Sequence, residues 1–374
     1  MAQVTIGTSY TDVEASEWDA LVGQGSPFLE HAYLAGLEQL DCAVAETGWT
    51  PRPVLVRHEG RLVAAAPGWV KTHSMGEFVY DHGWADAAQR AGLRYYPKLV
   101  IGVPFTPVTG QRLLVAPGLD ETHWRRVLLA GLEAAMEDAE GLHILFDTES
   151  ESASLADFGL FRRSQYQFHW VNRGYGSFDD YLGALRSKTR KMIKRERRAV
   201  SGLDIRVVQR PSAEAMVRMQ GFYANTCSQF GPWGRVYLSP EFFVHLGESW
   251  GERVVLIEAA RDGEVVGATF NVLKGDRLYG RLWGASAEID CLHFECCYYK
   301  TVEFAIEQQL AVFEPGHGGG HKYRRGFEPT MTWSNHALRH RGLHQALEQH
   351  CEREVERVAA QVAHLADSSP YTSS

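Results

Sequence analysis

Residues 281–329 decide the fold and read RLWGASAEIDCLHFECCYYKTVEFAIEQQLAVFEPGHGGGHKYRRGFEP. Their pattern predicts the end of a strand that starts near 277, a helix, a short strand near 311–314 and a glycine-rich loop. If the helix is a crossover, the two strands are parallel neighbours in one sheet. Both strands then deliver their loops to the same sheet edge, where open α/β sheets usually bind ligands.

Length and composition are those of a soluble globular protein. The 374 residues exceed what one compact core normally holds, so two domains are expected. The chain is 45% hydrophobic and 22% charged, and no apolar run reaches the ~18 residues of a membrane-spanning helix. The first residues are acidic and polar, unlike a secretory signal, so a cytoplasmic protein is expected. A net charge of -8 argues against a generic polyanion binder.

The six cysteines are scattered and form no CxxC pair. Free thiols are therefore expected rather than disulfides or a zinc site, and no metal is expected. The adjacent Cys296 and Cys297 lie in an apolar helix, where small buried residues are the simplest interpretation.

Strand and helix signals alternate along the second half of the chain. A strand near 167–171 leads to a long helix that Ser177 caps, and three consecutive strands between 253 and 286 form a meander. A late strand and a terminal helix follow the 281–329 stretch. The first half shows a weaker version of the same order. We expect domains at 1–165 and 166–366, and a disordered tail at 367–374.

Five segments carry a resemblance to a known family. They are KTHSMGEFVYDHGWADA, RYYPKLVIGVPFTPVTGQRLL, SFDDYLGALRSKTRKMIKRERR, LHFECCYYKTVEFAI and HKYRRGFEP. They resemble signature blocks of the FemAB-like predicted N-acyltransferases, a family often labelled as peptidoglycan biosynthesis or recognition. The element order likewise resembles the acyltransferase domain of the GNAT superfamily. The resemblance implies a mixed α/β (α+β) fold of tandem GNAT-like domains with a C-terminal helix.

For chemistry, the resemblance implies transfer of an acyl or aminoacyl group to an amine. The chain departs from the family pattern in the loop before HKYRRGF, where the family carries an acidic residue directly before the histidine. Gly320 occupies that position in this chain. If the acidic residue takes part in catalysis in the relatives, this chain has either lost that group or replaced it with His317. The substrate is therefore expected to differ from that of the relatives.

The acyl donor can be judged from the turn after the meander. GNAT enzymes that use acetyl-CoA cradle its diphosphate with backbone N–H groups in a glycine-rich loop at a helix start. Here Gly284 is the only glycine before the helix, and Glu288 and Asp290 would repel phosphate. This turn argues against coenzyme A in the second domain.

A basic helix offers a different donor a place to bind. One acid, Glu196, interrupts a run of cations from Arg186 onward. An aminoacyl-tRNA needs such a surface for its phosphates. The alternative is a solvated helix face that pairs with acids elsewhere. If the helix contacts tRNA, the residues expected to do so are Lys188, Arg190, Lys191, Lys194, Arg195, Arg197 and Arg198.

Amide formation needs a proton acceptor and a hydrogen-bond donor to the oxyanion. His293 and Glu295 point about 200° apart on the helix, so only one of them faces the pocket and either is a candidate base. Tyr298 and Tyr299 are candidate donors. The alternative for Glu295 is a purely structural role at a helix start.

The glycine-rich loop supplies further candidates. Its glycines let the backbone approach a ligand closely. Lys322 and Arg325 are expected to bind a carboxylate, a terminal phosphate or the oxyanion, or else to lie in solvent on a structural turn. His321 is either a base or a packing residue.

Two further sets complete the candidate site. Arg281 and Trp283 end the meander strand at the same edge, and Trp283 is either a core residue or a wall of the ligand site. In the first domain, four residues of the family-like blocks are expected to line an interdomain cleft, and these are Asp81, His82, Lys98 and Thr106.

The first hypothesis is an enzyme that transfers an aminoacyl group from aminoacyl-tRNA to the amine of a small molecule or cell-wall precursor. It requires no metal, no tightly bound cofactor and no covalent enzyme intermediate. N-acylation from acetyl-CoA or another acyl-CoA is the alternative in the same cleft. A non-catalytic protein that binds peptidoglycan or RNA is a third possibility.

Overall fold

A computed structural model describes residues 2–231 and 234–372. The chain divides into two compact units, one of residues 1–165 with 331–360 and one of residues 166–330 with 361–374. The sequence assigned residues 331–360 to the second domain, and the structure corrects this. Residues 333–338 pair antiparallel with residues 141–147 of the first unit, so strand pairing decides where the segment belongs.

The first unit holds most of the shorter strands. Its elements are β1 (Ala2–Ile6), α1 (Ala15–Val22), α2 (His31–Gln39), β2 (Trp49–Pro51), β3 (Val54–His58), β4 (Arg61–Ala66), β5 (Gly68–Lys71), α3 (His82–Arg90), β6 (Lys98–Ile101), β7 (Leu114–Val115), α4 (Glu121–Ala135), β8 (Gly141–Asp147) and α5 (Glu149–Leu155). The small sheet β1-β3-β4-β7 is antiparallel throughout. In the larger sheet of this unit, β6 and β8 are parallel neighbours.

The second unit carries the long meander and the basic helix. Strand β9 (Phe161–Val171) runs from the first unit into it. Its other elements are α6 (Phe178–Ala184), α7 (Ser187–Ala199), β10 (Asp204–Gln209), α8 (Ala213–Ser228), α9 (Pro240–Trp250), β11 (Val254–Arg261), β12 (Glu264–Lys274), β13 (Arg277–Ala285), α10 (Leu292–Phe294), a π-helical turn (Glu295–Tyr299), α11 (Lys300–Glu307) and β14 (Val312–Glu314). Strand β15 (Glu328–Leu338) and helix α12 (Arg341–Asp367) have residues in both units.

The sheet of the second unit has the order β10-β11-β12-β13-β14-β9. Strands β10 to β13 pair antiparallel, and β13 and β14 pair parallel. The crossover between the parallel strands contains α10, the π-helical turn and α11, as the sequence predicts. A core of aromatic and aliphatic side chains, among them Trp170, Tyr181, Phe304 and Phe313, lies under this sheet.

The long helix expected after Ser177 is two helices. Ser177 caps α6 by accepting a hydrogen bond from the Asp180 N–H, as predicted, but the helix ends at Ala184 and α7 starts at Ser187. The break has a physical cause, because Leu185 adopts an extended conformation and pairs with Tyr371 of the C-terminal tail.

The tail is ordered through residue 372, which corrects the disorder expected for residues 367–372. Residues 373 and 374 of the expected disordered tail lie outside the described range. Tyr371 is buried and donates its hydroxyl hydrogen bond to the Gly326 carbonyl at 2.7 Å. A buried aromatic ring with a satisfied hydroxyl explains why a polar Ser- and Pro-containing tail is held.

Candidate functional site

A cavity opens where β13 and β14 separate. The two strands pair only over residues 277–279 opposite residues 312–314. Beyond this point β13 continues to Ala285, whereas the chain after Glu314 leaves as the glycine-rich loop. The space between them is a cavity of about 250 Å³. The cavity therefore lies at the sheet edge to which the sequence assigns the ligand site.

Four elements line the cavity: β12, β13, the helix that starts at Leu292, and the glycine-rich loop. Their polar and aromatic lining residues include Thr269, Asn271, Arg281, Trp283, His293, Cys297, Tyr298, His317, His321 and Lys322. The structure thus brings together six of the predicted site residues, Arg281, Trp283, His293, Tyr298, His321 and Lys322.

The helix that follows β13 turns His293 and Glu295 in opposite directions, as its spacing predicts. His293 faces the cavity, while Glu295 is buried against α7 and accepts hydrogen bonds from Arg197 at 3.1 and 3.2 Å. The π-helical turn inserts an extra residue here, a feature that often accompanies functional sites. His293, and not Glu295, is the candidate proton acceptor.

Aromatic rings form one wall of the cavity. The ring of His293 packs edge-on against Trp283 at 5.6 Å and against Tyr298 at 5.3 Å between centroids. The Tyr298 hydroxyl and His321 Nε2 are hydrogen-bonded at 2.8 Å. Burial raises the pKa of Tyr298, so its hydroxyl stays protonated and able to donate. Trp283 is therefore a wall of the cavity that also packs against the hydrophobic core.

Lys322 lines the cavity next to His321. Its Nζ donates to the Gly316 carbonyl at 2.7 Å and to the His317 carbonyl at 3.3 Å. The side chain is 3% exposed, and burial lowers the pKa of Lys322 to about 8, with the charge of Arg281 acting in the same direction. Gly316 and Gly318 have positive φ values of 84° and 73°, so the loop needs glycine to fold over the cavity.

The cavity is electropositive. Among its described lining residues none is Asp or Glu, whereas Arg281 and Lys322 are cations. Burial and the nearby positive charges lower the pKa of His293 and of His317 to about 4 each. Both imidazoles are therefore neutral at neutral pH and can accept a hydrogen bond.

Arg325 does not reach the cavity, which corrects its assignment as a substrate contact. Its Nη2 donates to both carboxylate oxygens of Glu196 at 2.9 Å, and its Nε donates to the Tyr299 hydroxyl at 2.8 Å. Tyr299 in turn donates to Glu196. Arg325 and Tyr299 are thus buried structural residues that tie the loop and the π-helical turn to α7.

Arg197 is also paired with carboxylates of its own unit. It is half-buried and forms ion pairs with Glu295 at 3.0 Å and Glu303 at 3.4 Å. Burial raises the pKa of Glu295, and the Arg197 charge opposes that shift. Arg197 is therefore held by carboxylates and is not available to a phosphate.

The outer face of α7 is cationic. Its only acid, Glu196, points inward to Arg325. No carboxylate in residues 2–231 and 234–372 lies within ion-pair distance of the six remaining predicted cations. Of these six, Arg190 is half-buried and five are exposed, namely Lys188, Lys191, Lys194, Arg195 and Arg198.

Gly284 is packed tightly against α8. A Cβ atom at this position would lie 1.9 Å from the Phe222 carbonyl oxygen and 2.7 Å from the Tyr223 backbone nitrogen. The backbone of α8 therefore occupies the space over this glycine. Glu288 and Asp290 are exposed in the turn before α10, and Cys291 has a positive φ of 64°.

The predicted first-domain residues have structural roles within their own unit. Lys98 is fully buried and forms ion pairs with Glu77 at 2.8 Å and with Asp81. Thr106 is buried and hydrogen-bonds the Tyr33 hydroxyl at 2.8 Å. Asp81, Lys98 and Thr106 therefore do not present side chains to an open cleft. His82 is exposed at the start of α3.

Sequence reasoning missed three lining residues: Thr269, Asn271 and Cys297. Thr269 and Asn271 are buried polar residues two positions apart in β12, and the Asn271 amide donates to Thr269 Oγ1 at 2.7 Å. Two polar residues on one face of an otherwise apolar strand are a signal that could have been used. Cys297 gave no such signal, because an apolar helix explains it equally well.

Comparisons with known proteins identify the family of the chain. A family model named FemAB-like and described as peptidoglycan biosynthesis/recognition matches residues 9–373. The chain belongs to the FemAB-like family. No curated protein matches the sequence of this FemAB-like chain.

Solved structures show the same fold at low identity. A crystal structure of FemX has a TM-score of 0.54 at 12% identity, over 90% of this chain and 98% of that one. The C-terminal domain of a putative lysylphosphatidylglycerol synthetase from Agrobacterium fabrum has a TM-score of 0.54 at 10% identity, over 91% and 95%. L-PGS from Bacillus licheniformis has a TM-score of 0.52 at 10% identity, over 93% and 98%. The chain shares the fold of FemX, and the predicted mixed α/β fold with a C-terminal helix is confirmed.

The family model and the solved structures thus agree on a FemAB-like protein with the FemX fold. None of the described helices combines the length and apolar character needed to cross a membrane. In the part of the chain that the structure describes, no group of three or more His, Cys, Asp or Glu side chains is arranged to hold a metal ion.

Proposed function

We propose that this FemAB-like protein is an aminoacyltransferase that takes an aminoacyl group from aminoacyl-tRNA and forms an amide on a small amine acceptor. The observation that carries the proposal is the exposed face of α7, whose cations have no carboxylate partners among the described residues. Like charges three or four positions apart on a helix repel one another, and a polyanion removes that repulsion.

The donor surface and the cavity belong to one connected structure. Glu196 on α7 bonds to Arg325 at the end of the glycine-rich loop, and Arg197 bonds to Glu295 on the helix that carries His293. A nucleic acid that lies on the outer face of α7 therefore contacts a helix fixed to two elements of the cavity wall. This arrangement supports delivery of an aminoacyl end to the cavity.

The turn between β13 and α10 is a poor binding site for the diphosphate of a coenzyme A donor. The space over Gly284 is filled by the backbone of α8, and the turn that follows exposes Glu288 and Asp290. A diphosphate needs several N–H groups and a positive potential at a helix start. The turn before α10 instead presents two carboxylates.

The electropositive cavity prepares the acceptor amine. An amine must be neutral to attack a carbonyl carbon, and nearby cations lower the pKa of an amine by like-charge repulsion. Lys322 and Arg281 supply those cations, and no described lining residue supplies a carboxylate that would stabilise the ammonium form. The cavity therefore favours the nucleophilic form without a strong base.

The amine nitrogen bonds to the ester carbonyl carbon, and the carbonyl oxygen becomes an oxyanion. With the Nε2–H of His321 donating to the Tyr298 oxygen, the Tyr298 O–H is directed to the oxyanion. His293 accepts the proton that the new ammonium releases and passes it to the departing ribose oxygen when the ester C–O bond breaks. The products are the amide and uncharged tRNA.

The test uses the full chain, a pool of charged tRNA and candidate amines, with products followed by mass. The proposal expects products heavier than the amine by one amino-acid residue, and ribonuclease treatment of the pool before the reaction abolishes them. Turnover with acetyl-CoA alone would show instead an acetyltransferase. Binding of charged tRNA without any consumption of the donor would show a binding protein.

A further inference from the structure

Lys322 is a buried cation that faces the cavity without a counter-ion. Among the residues that the structure describes, no carboxylate lies within ion-pair distance of its Nζ, although the side chain is only 3% exposed. An ammonium group has three N–H donors, and two of them are used by the carbonyls of Gly316 and His317. The third donor has no acceptor within the described chain.

A buried and a half-buried cation of the same unit, Arg325 and Arg197, are both paired with carboxylates. Arg325 is bound bidentately by Glu196, and Arg197 is bound by Glu295 and Glu303. Burying a charge without a partner is costly, and for this reason buried charges in proteins are normally paired. Lys322 therefore differs from Arg325 and Arg197 of the same unit, because it lacks a carboxylate partner among the described residues.

The rest of the cavity does not neutralise Lys322. Its lining adds a second cation, Arg281, and imidazoles that are neutral or positive. A buried acid, Glu314, directly precedes the loop, but it is held by Arg277 at 2.6 Å and does not line the cavity. The positive charge of Lys322 is left for a ligand to compensate.

We infer that the acceptor amine of the proposed reaction carries an anionic oxygen group, a carboxylate or a phosphate, and that this group binds Lys322 on the Arg281 side of the cavity. The role of this ligand as the acceptor rests on the proposed function, whereas the presence of an anion site at Lys322 does not. A charge-assisted hydrogen bond from the third N–H of Lys322 supplies the specificity.

The size of the cavity limits the ligand. A volume of about 250 Å³ is below the roughly 300–1,000 Å³ of typical small-molecule sites, so a compact acceptor or the reacting end of a larger one fits. An anionic group and an amine must then lie within one short molecule or side chain. Amino acids, short peptides and phosphorylated amino alcohols have this form.

The first test follows the titration of Lys322 by NMR in protein labelled with ¹³C-lysine. Inorganic phosphate and two matched pairs of amines are the probes: β-alanine with β-alaninamide, and O-phosphoethanolamine with ethanolamine. Binding of an anion raises the pKa of Lys322 above its starting value of about 8. Lys300, which pairs with Glu303 at 2.7 Å and does not line the cavity, is the internal control and does not shift.

The outcomes separate the two anion chemistries. A shift with β-alanine alone identifies a carboxylate site, and a shift with phosphate or O-phosphoethanolamine alone identifies a phosphate site. An unchanged Lys322 titration with every anionic probe overturns the inference, and so does an equal shift with the member of each pair that lacks the anionic group.

A second test measures affinity by calorimetry for the anionic amine that shifts Lys322. The Lys322→Met variant is expected to bind it at least about tenfold more weakly, whereas Lys300→Met binds as the unchanged protein does. Equal affinity of the Lys322→Met variant would overturn the inference.

Failure of this inference is distinguishable from failure of the proposed function. If anionic amines bind at Lys322 but no amine receives an aminoacyl group from charged tRNA, the anion site stands and the proposed function fails. If ethanolamine and β-alaninamide are aminoacylated as readily as their anionic partners, the function stands and the anion inference fails.

Discussion

Glu196 and Arg325 form a buried bidentate ion pair with both Nη2 contacts at 2.9 Å, although 129 positions separate them in the sequence. Tyr299 completes the arrangement by accepting from Arg325 Nε and donating to Glu196. The pair fixes the basic helix α7 to the loop that carries Lys322. The pair therefore holds the cationic helix and the cavity-lining loop in one geometry.

Replacing Arg325 by methionine is expected to lower the free energy of unfolding by about 3–5 kcal/mol, because Glu196 is then left as a buried charge without its partner. Urea titration of the full chain measures the change. As a control, Glu252→Ala removes an ion pair with Arg210 whose side chains are 72% and 71% exposed, and costs less than about 1 kcal/mol. A loss at Arg325 no larger than the control would contradict the role of the pair.

Gly284→Ala tests the close packing of α8 against Gly284, on which the proposed preference against coenzyme A depends. The added methyl group would lie 1.9 Å from the Phe222 carbonyl oxygen, so α8 must move, at a cost of about 1–3 kcal/mol in stability. Gly221→Ala is the matched control in α8 itself, because it is exposed and its Cβ would meet nothing within 4 Å. The control is expected to stabilise by about 0.5–1 kcal/mol in thermal unfolding, and equal effects of the two changes would count against the close approach of α8.

Removing the exposed cations of α7 should weaken tRNA binding uniformly across sequences. The triple change Lys188→Ala, Lys191→Ala and Arg195→Ala removes three charges from one stripe of the helix. The slope of log affinity against log salt concentration is expected to fall by about 0.7–0.9 for each tRNA phosphate that the variant no longer neutralises. Fluorescence anisotropy with a labelled tRNA over a salt series measures the slope.

The control for this series removes three exposed arginines from outside α7, namely Arg261, Arg353 and Arg357. Their removal changes the net charge by the same amount and leaves the outer face of α7 intact. If affinity and slope fall equally in the two triple variants, the surface of α7 has no special role.

Lys322 is expected to give the proposed reaction a pH dependence. Below its lowered pKa of about 8 the side chain is a cation that can bind an anionic acceptor, and above that pH it is a neutral amine that cannot. The ratio kcat/KM reports the free enzyme, so its profile against pH is expected to fall above about 8. In Lys322→Arg the fall moves to higher pH, because a guanidinium stays charged. If kcat/KM of the Lys322→Arg variant still falls near pH 8, the fall is caused by the titration of another group.

The same shift affects stability. The folded state disfavours charged Lys322, whereas the unfolded chain titrates near the ordinary value of 10.5. The destabilisation is therefore fully present below pH 8 and is relieved as the pH rises from about 8 toward 10.5. The urea midpoint of the unchanged protein minus that of the Lys322→Met variant is expected to increase over this pH interval. A difference that stays constant would contradict the lowered pKa of Lys322.

Local patterns in the sequence predicted the parts of the site that depend on local geometry. The crossover spacing predicted that β13 and β14 are parallel, and helical periodicity predicted that His293 and Glu295 face opposite ways. Both predictions are confirmed because they follow from the periods of strands and helices.

The predictions that were wrong depend on partners far away in the chain. Arg325 was assigned to the ligand because periodicity does not reveal Glu196, and the break between α6 and α7 was missed because it is caused by pairing of Leu185 with Tyr371. Cys297 was missed because an apolar helix explains a small buried residue equally well, so nothing local marks it as part of a cavity wall.

The proposed function requires that the acyl donor is an aminoacyl-tRNA and not an acyl-CoA. A competition experiment offers both donors in one reaction, with ¹⁴C in the aminoacyl groups of a charged tRNA pool and ³H in the acetyl group of acetyl-CoA, and counts both labels in the amide product. We expect ¹⁴C in the product, abolished when ribonuclease is added first, and no ³H. Product that carries ³H and is unaffected by ribonuclease would contradict it.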